Sequence, residues 1–424
     1  VIDTTAATGA CPRCGARTVA LDDATPWCAG CEWNLDAYEA GRRSREFGWT
    51  VPDRWAHRLA YRLTRRQFDR LVGRPLDDTG PAGARIATGL AALLLLAGVA
   101  ALAGTGGWLL VAYRFPNPST VLGVALLGLA YALRPRFGRL DGDLTELRRN
   151  RAPELFALVD EVATAAGAPP PDVIGVDDEP NAYATTVGLR RRRVLCLGLP
   201  LWGALPAQER VALLGHELGH FVNGDPRRAL LVQPVLTTLG SAADLVRPVR
   251  TVTGGGVLEL FGRAVANAAQ WVLSRLLLGA HLLLVSVALR DSQRAEYLAD
   301  EVAARVAGST AACGLLDAFL ATDSIDLAVR RESRAGHGPD RWRSAVAESR
   351  AAAAARLPLL RQLSVRDETG LLAGHPPTGL RRRMLAGRAW HDPKVVLTEE
   401  RLARIDDELA REYERVRRTM AWSG

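Results

Sequence analysis

Lysine is almost absent from this chain: of its 54 basic residues only Lys394 is not an arginine. The formal charge of +8 is scattered in short arginine runs and forms no single stripe. A basic chain can bind nucleic acid, but a basic membrane protein is the other common source of such a balance, and the apolar runs of this chain favour the second. Histidine is scarce, with 7 residues. Val1 to Ala10 lack a basic start followed by an apolar run, so no cleavable signal peptide is expected there. Charge is missing altogether between Ile86 and Tyr113. As a helix that run would be roughly 42 Å long, against a hydrocarbon core of about 30 Å, and it reads as a membrane crossing. With 424 residues, 48% of them apolar, the chain has room for two or more domains and a sizeable core, and nothing in these numbers forces disorder.

Against so few histidines, the stretch Pro206 to Asn223 stands out, because it contains His216-Glu217-Leu218-Gly219-His220. Such a string should arise by chance on the order of once in a hundred chains of this kind. Pro206 suits a first helical turn, Ala207 to Leu214 are good helix formers, and Asn223-Gly224-Asp225-Pro226 is a stop signal. A helix here puts His216 and His220 one turn apart on one face, where two imidazoles can hold a metal ion. Glu217 is then placed to reach a water at that metal, as the general base of a zinc hydrolase. The bland alternative is two histidines packing on an amphipathic helix.

Four of the 6 cysteines form two C-x-x-C pairs, Cys11/Cys14 and Cys28/Cys31, separated by a hairpin-sized insert. Four thiolates at this spacing would close a structural zinc site, a zinc ribbon over residues 1–35, with two disulfides or a redox pair as the alternatives. Reduced thiolates imply a cytoplasmic N-terminus. Cys196 and Cys313 are isolated and expected to pack as small apolar residues. Residues 36–85 are rich in arginine, tryptophan and tyrosine; as a helix this segment is basic and amphipathic, fitting either an anionic membrane surface or a solvated face, with His57 an ordinary polar residue.

The charge-free run from Ile86 and a second one ending at Leu133 read as a transmembrane hairpin over residues 86–133, with Arg114 in its turn. Arginines crowd both flanks, which places those flanks in the cytoplasm. Residues 134–228 read as soluble: a helix near Ala152 to Ala166, then short strands at Asp172 to Val176, Asn181 to Gly188 and Val194 to Leu197 ahead of the histidine helix. An outer strand of such a sheet could pair with an extended peptide. Ala229 to Val246 and Ala264 to Leu289 are apolar but carry Gln233, Pro234, Asp244, Arg275 and His281; they read as a second membrane pair over residues 229–289, or as core helices. His281 is expected to pack or hydrogen-bond.

Two histidines need a further protein ligand. Glu296 and Asp300 lie one turn apart on a helix in residues 290–390, so Glu296 can ligate while Asp300 hydrogen-bonds a ligand histidine from behind; Asp225 and Asp291 are weaker competitors. Ala303 to Leu363 reads as alanine- and arginine-rich helix. In residues 391–424, Leu402, Ile405, Leu409, Tyr413 and Val416 form a helical seam that could pack on the body or on a second copy. His337 and His391 are expected to face solvent.

His216-Glu-Leu-Gly-His220, Asn181-Ala-Tyr-Ala, Glu296-Tyr-Leu-Ala-Asp300 and His375-Pro-Pro-Thr-Gly-Leu-Arg381 together resemble, in order and spacing, the HtpX-like and CAAX prenyl protease type of membrane zinc metallopeptidase. The resemblance covers about Ile86 to Arg388. It implies a gluzincin-type catalytic domain facing the cytoplasm, zinc on His216, His220 and Glu296, Glu217 as base, and Asp300 behind the ligands. It further implies that Asn181 and Ala182 hold the substrate backbone and that His375 and Arg381 lie near the site. The expected fold is mainly α with a small β-sheet: a protease domain on a bundle of transmembrane helices, plus the ribbon. The expected cofactors are one catalytic and one structural zinc. The expected setting is a multi-pass membrane protein, fitting a bacterial inner membrane, that acts on polypeptides of membrane proteins, binds no nucleic acid, and could form a homo-oligomer. His375 is the candidate donor to the oxyanion, with Arg381 fixing the loop or pairing with a carboxylate. Two other classes stand beside this one: an inactive membrane scaffold, and a ribbon-bearing regulator that binds nucleic acid. Zinc content and salt-dependent DNA binding by residues 1–80 separate them.

Overall fold

A computed structural model describes residues 9–21, 24–42, 46, 49–76, 82–113, 115–134, 144–188, 191–222 and 257–422. The chain divides into two compact units: Val1–Asp78 with Leu140–Pro226 and Ser292–Gly424, and Thr79–Arg139 with Arg227–Asp291.

The smaller unit holds α2 (Ala82–Ala112) and α3 (Pro118–Ala132), which pack as a hairpin. Gly106 and Gly123 make the close approach possible, since a Cβ on Gly106 would lie 2.9 Å from the Gly123 carbonyl oxygen. Asn117 caps α3 by accepting from the Ser119 amide at 2.8 Å. Leu93–Ala112 is the one stretch among the described residues long and apolar enough to cross a membrane, and its apolar side chains point outward. At 15 residues, or about 22 Å, α3 is apolar but short of a full crossing. Among the described residues, then, one helix of the expected bundle is long enough to span, with a shorter apolar partner beside it. Residues 229–246 lie outside the described residues. Residues 264–289 fall within a single helix, α7 (Val257–Ala307), on which Arg275 stacks over Trp271 at 5.6 Å.

In the larger unit, α1 (Thr50–Leu71) precedes a four-stranded sheet. Its strands are β1 (Thr145–Glu146), β2 (Val173–Asp177), β3 (Ala182–Val187) and β4 (Arg192–Gly198), in the order β1-β2-β4-β3. β4 is the buried centre, parallel to β2 and antiparallel to β3, so β3 is an edge strand. A helix, α4 (Pro153–Ala166), covers the sheet and ends in left-handed Gly167, while α5 (Leu199–Ala204) leads into α6 (Ala207–Val222), the histidine helix. Beyond α7 the expected single helical stretch is broken into α8 (Ser309–Phe319), α9 (Thr322–Arg334), α10 (Pro339–Ala353) and α11 (Leu357–Asp367). Interruptions fall at Gly308 and Gly336, whose φ of 87° and 84° suit glycine, at Pro339 and Pro358, and at Leu320–Ala321, where no glycine or proline marks the break. Next come α12 (Thr378–Ala386) and, where one seam helix is expected, two: α13 (Glu399–Glu408) and α14 (Ala410–Trp422). Their apolar seam packs on the body, since Leu402, Ile405, Leu409, Tyr413, Val416 and Met420 join the main core with Trp202, Val211 and Leu214.

One buried polar knot locks this packing. Arg210, on α6 and 0% exposed, donates to Asp406 Oδ1 at 2.7 Å, Arg343 donates to Asp406 Oδ2 at 2.7 Å, and the Tyr413 hydroxyl donates to Oδ1 at 3.0 Å.

Candidate active site

The four candidate cysteines come together. Cys11 Sγ lies 3.6 Å from Cys31 Sγ and Cys14 Sγ 3.5 Å from Cys28 Sγ, and one sulfur from each residue falls within 4.8 Å of the others. A disulfide needs about 2.05 Å, so these are free thiols. Their spacing is close to the ~3.8 Å edge of a tetrahedron with bonds of about 2.3 Å, which fits a four-thiolate zinc site.

Histidines 216 and 220 project from one face of α6, with ring centroids 4.9 Å apart and rings nearly perpendicular. α7 crosses that helix and brings Glu296 opposite them. His216 Nε2 lies 3.5 Å from Glu296 Oε2, and His220 Nε2 lies 3.5 Å from Glu296 Oε1. One turn on, Asp300 Oδ1 meets His216 Nδ1 at 3.1 Å. From α12, Arg381 grips Asp300 with two bonds, Nε at 2.9 Å and Nη2 at 2.7 Å, and its Nη1 sits 3.3 Å from Glu296 Oε2. His375, on the loop before α12, places Nδ1 3.0 Å from Glu296 Oε1 and is 71% exposed at the mouth of the site. That loop is tied to α7 by Gln293, which donates to the Ala373 carbonyl at 2.9 Å. Asn181 and Ala182 lead into edge strand β3, which packs beside α6; Asn181 is exposed and Ala182 is buried against the core.

Burial sets the electrostatics. It pushes the Glu217 carboxyl up, against the pull of the neighbouring histidines. Burial would lower His216, but the carboxylates of Asp300 and Glu296 outweigh it and lift the imidazole to about 10. Burial would also raise Asp300 and Glu296, yet Arg381 holds both low. Three buried carboxylates, Glu217, Glu296 and Asp300, face one buried guanidinium, and Glu296 Oε2 makes no hydrogen bond among the described residues. Two imidazoles and a carboxylate oxygen converging within 4.8 Å fit a divalent cation.

Two features of the sequence that make this convergence possible carried no weight in the motif reading. Gly215 and Gly219 flank the histidines, and α7 answers with Ala299 and Ala303. A Cβ at Gly219 would lie 3.0 Å from Ala299 Cα, and one at Gly215 would lie 3.1 Å from Ala303 Cα. This small-on-small crossing lets the two helices approach closely enough to pair the imidazoles with Glu296. Gly219→Ala is nearly balanced, because the gain of about 1 kcal/mol in helix propensity offsets the clash. Gly219→Leu must push α7 away. It is expected to cost about 1–3 kcal/mol and to weaken zinc binding at least tenfold, measured by thermal unfolding and chelator competition.

Paired histidines on one helix, a carboxylate from a second and a buried glutamate beside them define the site of a metal-dependent hydrolase. The sequence comparisons place it more closely. Peptidase family M48 matches residues 149–389. A protease HtpX homolog of Tropheryma whipplei is 31% identical over 205 residues, 47% of this chain and 68% of the relative. One from Acidiphilium cryptum is 31% identical over 226 residues, 53% and 70% of the two chains. Protease HtpX of Pseudomonas putida is 31% identical over 168 residues, 38% and 54%. No solved structure matches the chain. The chain belongs to peptidase family M48 and is an HtpX-like zinc metallopeptidase.

Proposed function

We propose that the protein is an integral-membrane endopeptidase that hydrolyses peptide bonds of membrane or membrane-associated proteins on the cytoplasmic side, with Glu217 as general base. The observation that carries the catalytic part is the convergence of both imidazole Nε2 atoms on Glu296 beside a buried Glu217. Bound zinc would supply Lewis-acid polarisation of the scissile carbonyl and a water acidified towards neutrality. Glu217, made more basic by burial, accepts a proton from the attacking water and returns it to the leaving amine. Asp300 fixes His216 through Nδ1 and leaves Nε2 to face Glu296, while Arg381 fixes Asp300. At the mouth, His375 can donate to the developing oxyanion. As an edge strand, β3 is where an extended substrate could add a further strand.

The apolar stretch Leu93–Ala112 and the arginines flanking residues 86–133 support the membrane setting, and the four-thiolate ribbon supports a reducing, cytoplasmic N-terminus. Comparing the membrane-protein fragments that accumulate in the native host with wild-type and Glu217→Gln protein tests the reading. Fragments specific to the wild type are expected; identical fragment patterns would defeat it.

α1 supports the anionic-surface reading of the basic segment. Its apolar face is used inside the protein, where Ala56, His57, Ala60, Thr64 and Phe68 are buried, with His57 Nε2 3.1 Å from the Asp36 carbonyl oxygen. What it shows to solvent is Arg54, Arg58, Arg62, Arg66 and Arg70 with Trp49 and Trp55, 74% and 62% exposed, and one acid, Asp69. This surface suits anionic headgroups, at about 1 kcal/mol per arginine. In nanodiscs of brominated anionic lipid, the quenching contributed by Trp49 and Trp55, read against their phenylalanine variants, should fall by more than half when Arg54, Arg58, Arg62 and Arg66 become glutamine.

A further inference from the structure

The four-cysteine ribbon buries almost nothing on its own account. Its large apolar residues, Leu21, Trp27 and Leu35, are at most 1% exposed, and all three belong to one cluster with Phe68 of α1, Tyr297 of α7, Leu363 and Val365 of α11, and Leu380 and Met384 of α12. Two of those partners sit next to the active site in sequence: Tyr297 follows Glu296, and Leu380 precedes Arg381. The ribbon core is thus the packing behind the carboxylate that faces the paired histidines and behind the guanidinium that steadies it.

Polar contacts repeat the connection. On α11, Gln362 accepts from the Trp27 indole at 2.9 Å and donates to the Ala29 carbonyl at 2.8 Å. Arg366, fully buried, donates to the carbonyls of Thr25 and Asn34 at 2.7 and 2.8 Å and to Glu39 at 2.7 Å. Glu32, the residue after Cys31, is held at φ 57° and accepts from Arg65 at 2.7 Å and from Arg383 of α12 at 3.0 Å. From α11 the linkage passes to α12, where the Gly379 amide donates to Ser364 Oγ at 2.8 Å and the Thr378 amide donates to Glu368. Two residues beyond Gly379 is Arg381. A metal-bound ribbon of this size has little stability without its metal.

We infer that the ribbon is a positioning element of the catalytic centre: zinc held by Cys11, Cys14, Cys28 and Cys31 keeps Tyr297 and α12 seated, and so aligns Glu296 and Arg381 for metal binding at the histidine site. This rests on the reading of His216, His220 and Glu296 as the catalytic ligands. Two sites joined through one packed cluster must influence each other's affinity.

The test measures zinc, by content and by chelator competition, on the full-length protein in detergent. Wild type binds two zinc ions and Glu296→Gln one; two ions in Glu296→Gln would overturn the catalytic-site reading itself and not the coupling. Cys28→Ser/Cys31→Ser should hold its remaining zinc at least tenfold more weakly than the wild-type catalytic site does, and unchanged affinity would overturn the inference. If that variant does not fold, Glu32→Gln/Gln362→Ala keeps all four cysteines and the apolar cluster. It should retain ribbon zinc while weakening the catalytic site several-fold. A lower melting temperature with unchanged catalytic zinc affinity would reduce the ribbon to a stabilising support and refute the positioning role.

Discussion

Glu217→Gln is expected to bind zinc as the wild type does and to lose peptide cleavage by about 10³-fold or more. The amide keeps the size and burial of the side chain but can neither take a proton from the attacking water nor return it to the leaving amine. Glu217 sits on α6 beside both histidines, yet the atoms that converge as a group able to hold a metal are those of His216, His220 and Glu296, so the substitution leaves that group intact. Zinc content and cleavage of an unfolded protein substrate are the two readings. Wild-type cleavage by the variant would transfer the base role to another group. Lost zinc would show Glu217 to be part of the metal set.

The second large effect is expected far from the chemistry. Asp406→Ala removes the carboxylate that Arg210, Arg343 and the Tyr413 hydroxyl all address, and leaves Arg210, with no exposure at all, charged and unpaired beside Trp202. Breaking one side of a buried ion pair costs about 3–5 kcal/mol. Because Arg210 lies on the helix that carries His216 and His220, the loss should appear as early unfolding of that helix. Thermal unfolding should show a reduced midpoint, and zinc should be released at lower temperature than from wild type. Replacing both charges, Arg210→Met with Asp406→Leu, should recover much of the loss, because the penalty comes from the orphaned charge more than from the missing contact.

How far these expectations could be drawn from the sequence depends on the range of the physics behind each. The histidine helix, its proline start and the two cysteine pairs are local patterns, set by neighbours within one or two turns. The structure forms α6 over Ala207–Val222 and gathers the four sulfurs. Long helices were harder, because alanine and arginine favour helix everywhere, and only Gly308, Gly336 and the prolines mark where one ends. Composition shows that a run is apolar but not where its helix ends: Leu93–Ala112 is long enough to span, whereas α3 is a shorter apolar helix of 15 residues.

By itself, the sequence determined the chemistry available: which side chains could bind a metal, which glutamate could act as a base, and which run could enter a bilayer. These follow from residue type and helical or thiolate spacing, which survive any packing of the chain. Only the tertiary structure decided the rest. The apolar face of α1 turns inward, the C-terminal seam closes on the body, Arg381 pairs with Asp300, and the ribbon leans on the residues next to Glu296. Each of these joins segments far apart in the chain. Their energies come from shared burial and from charges that must find partners, and no stretch of sequence read alone carries that information.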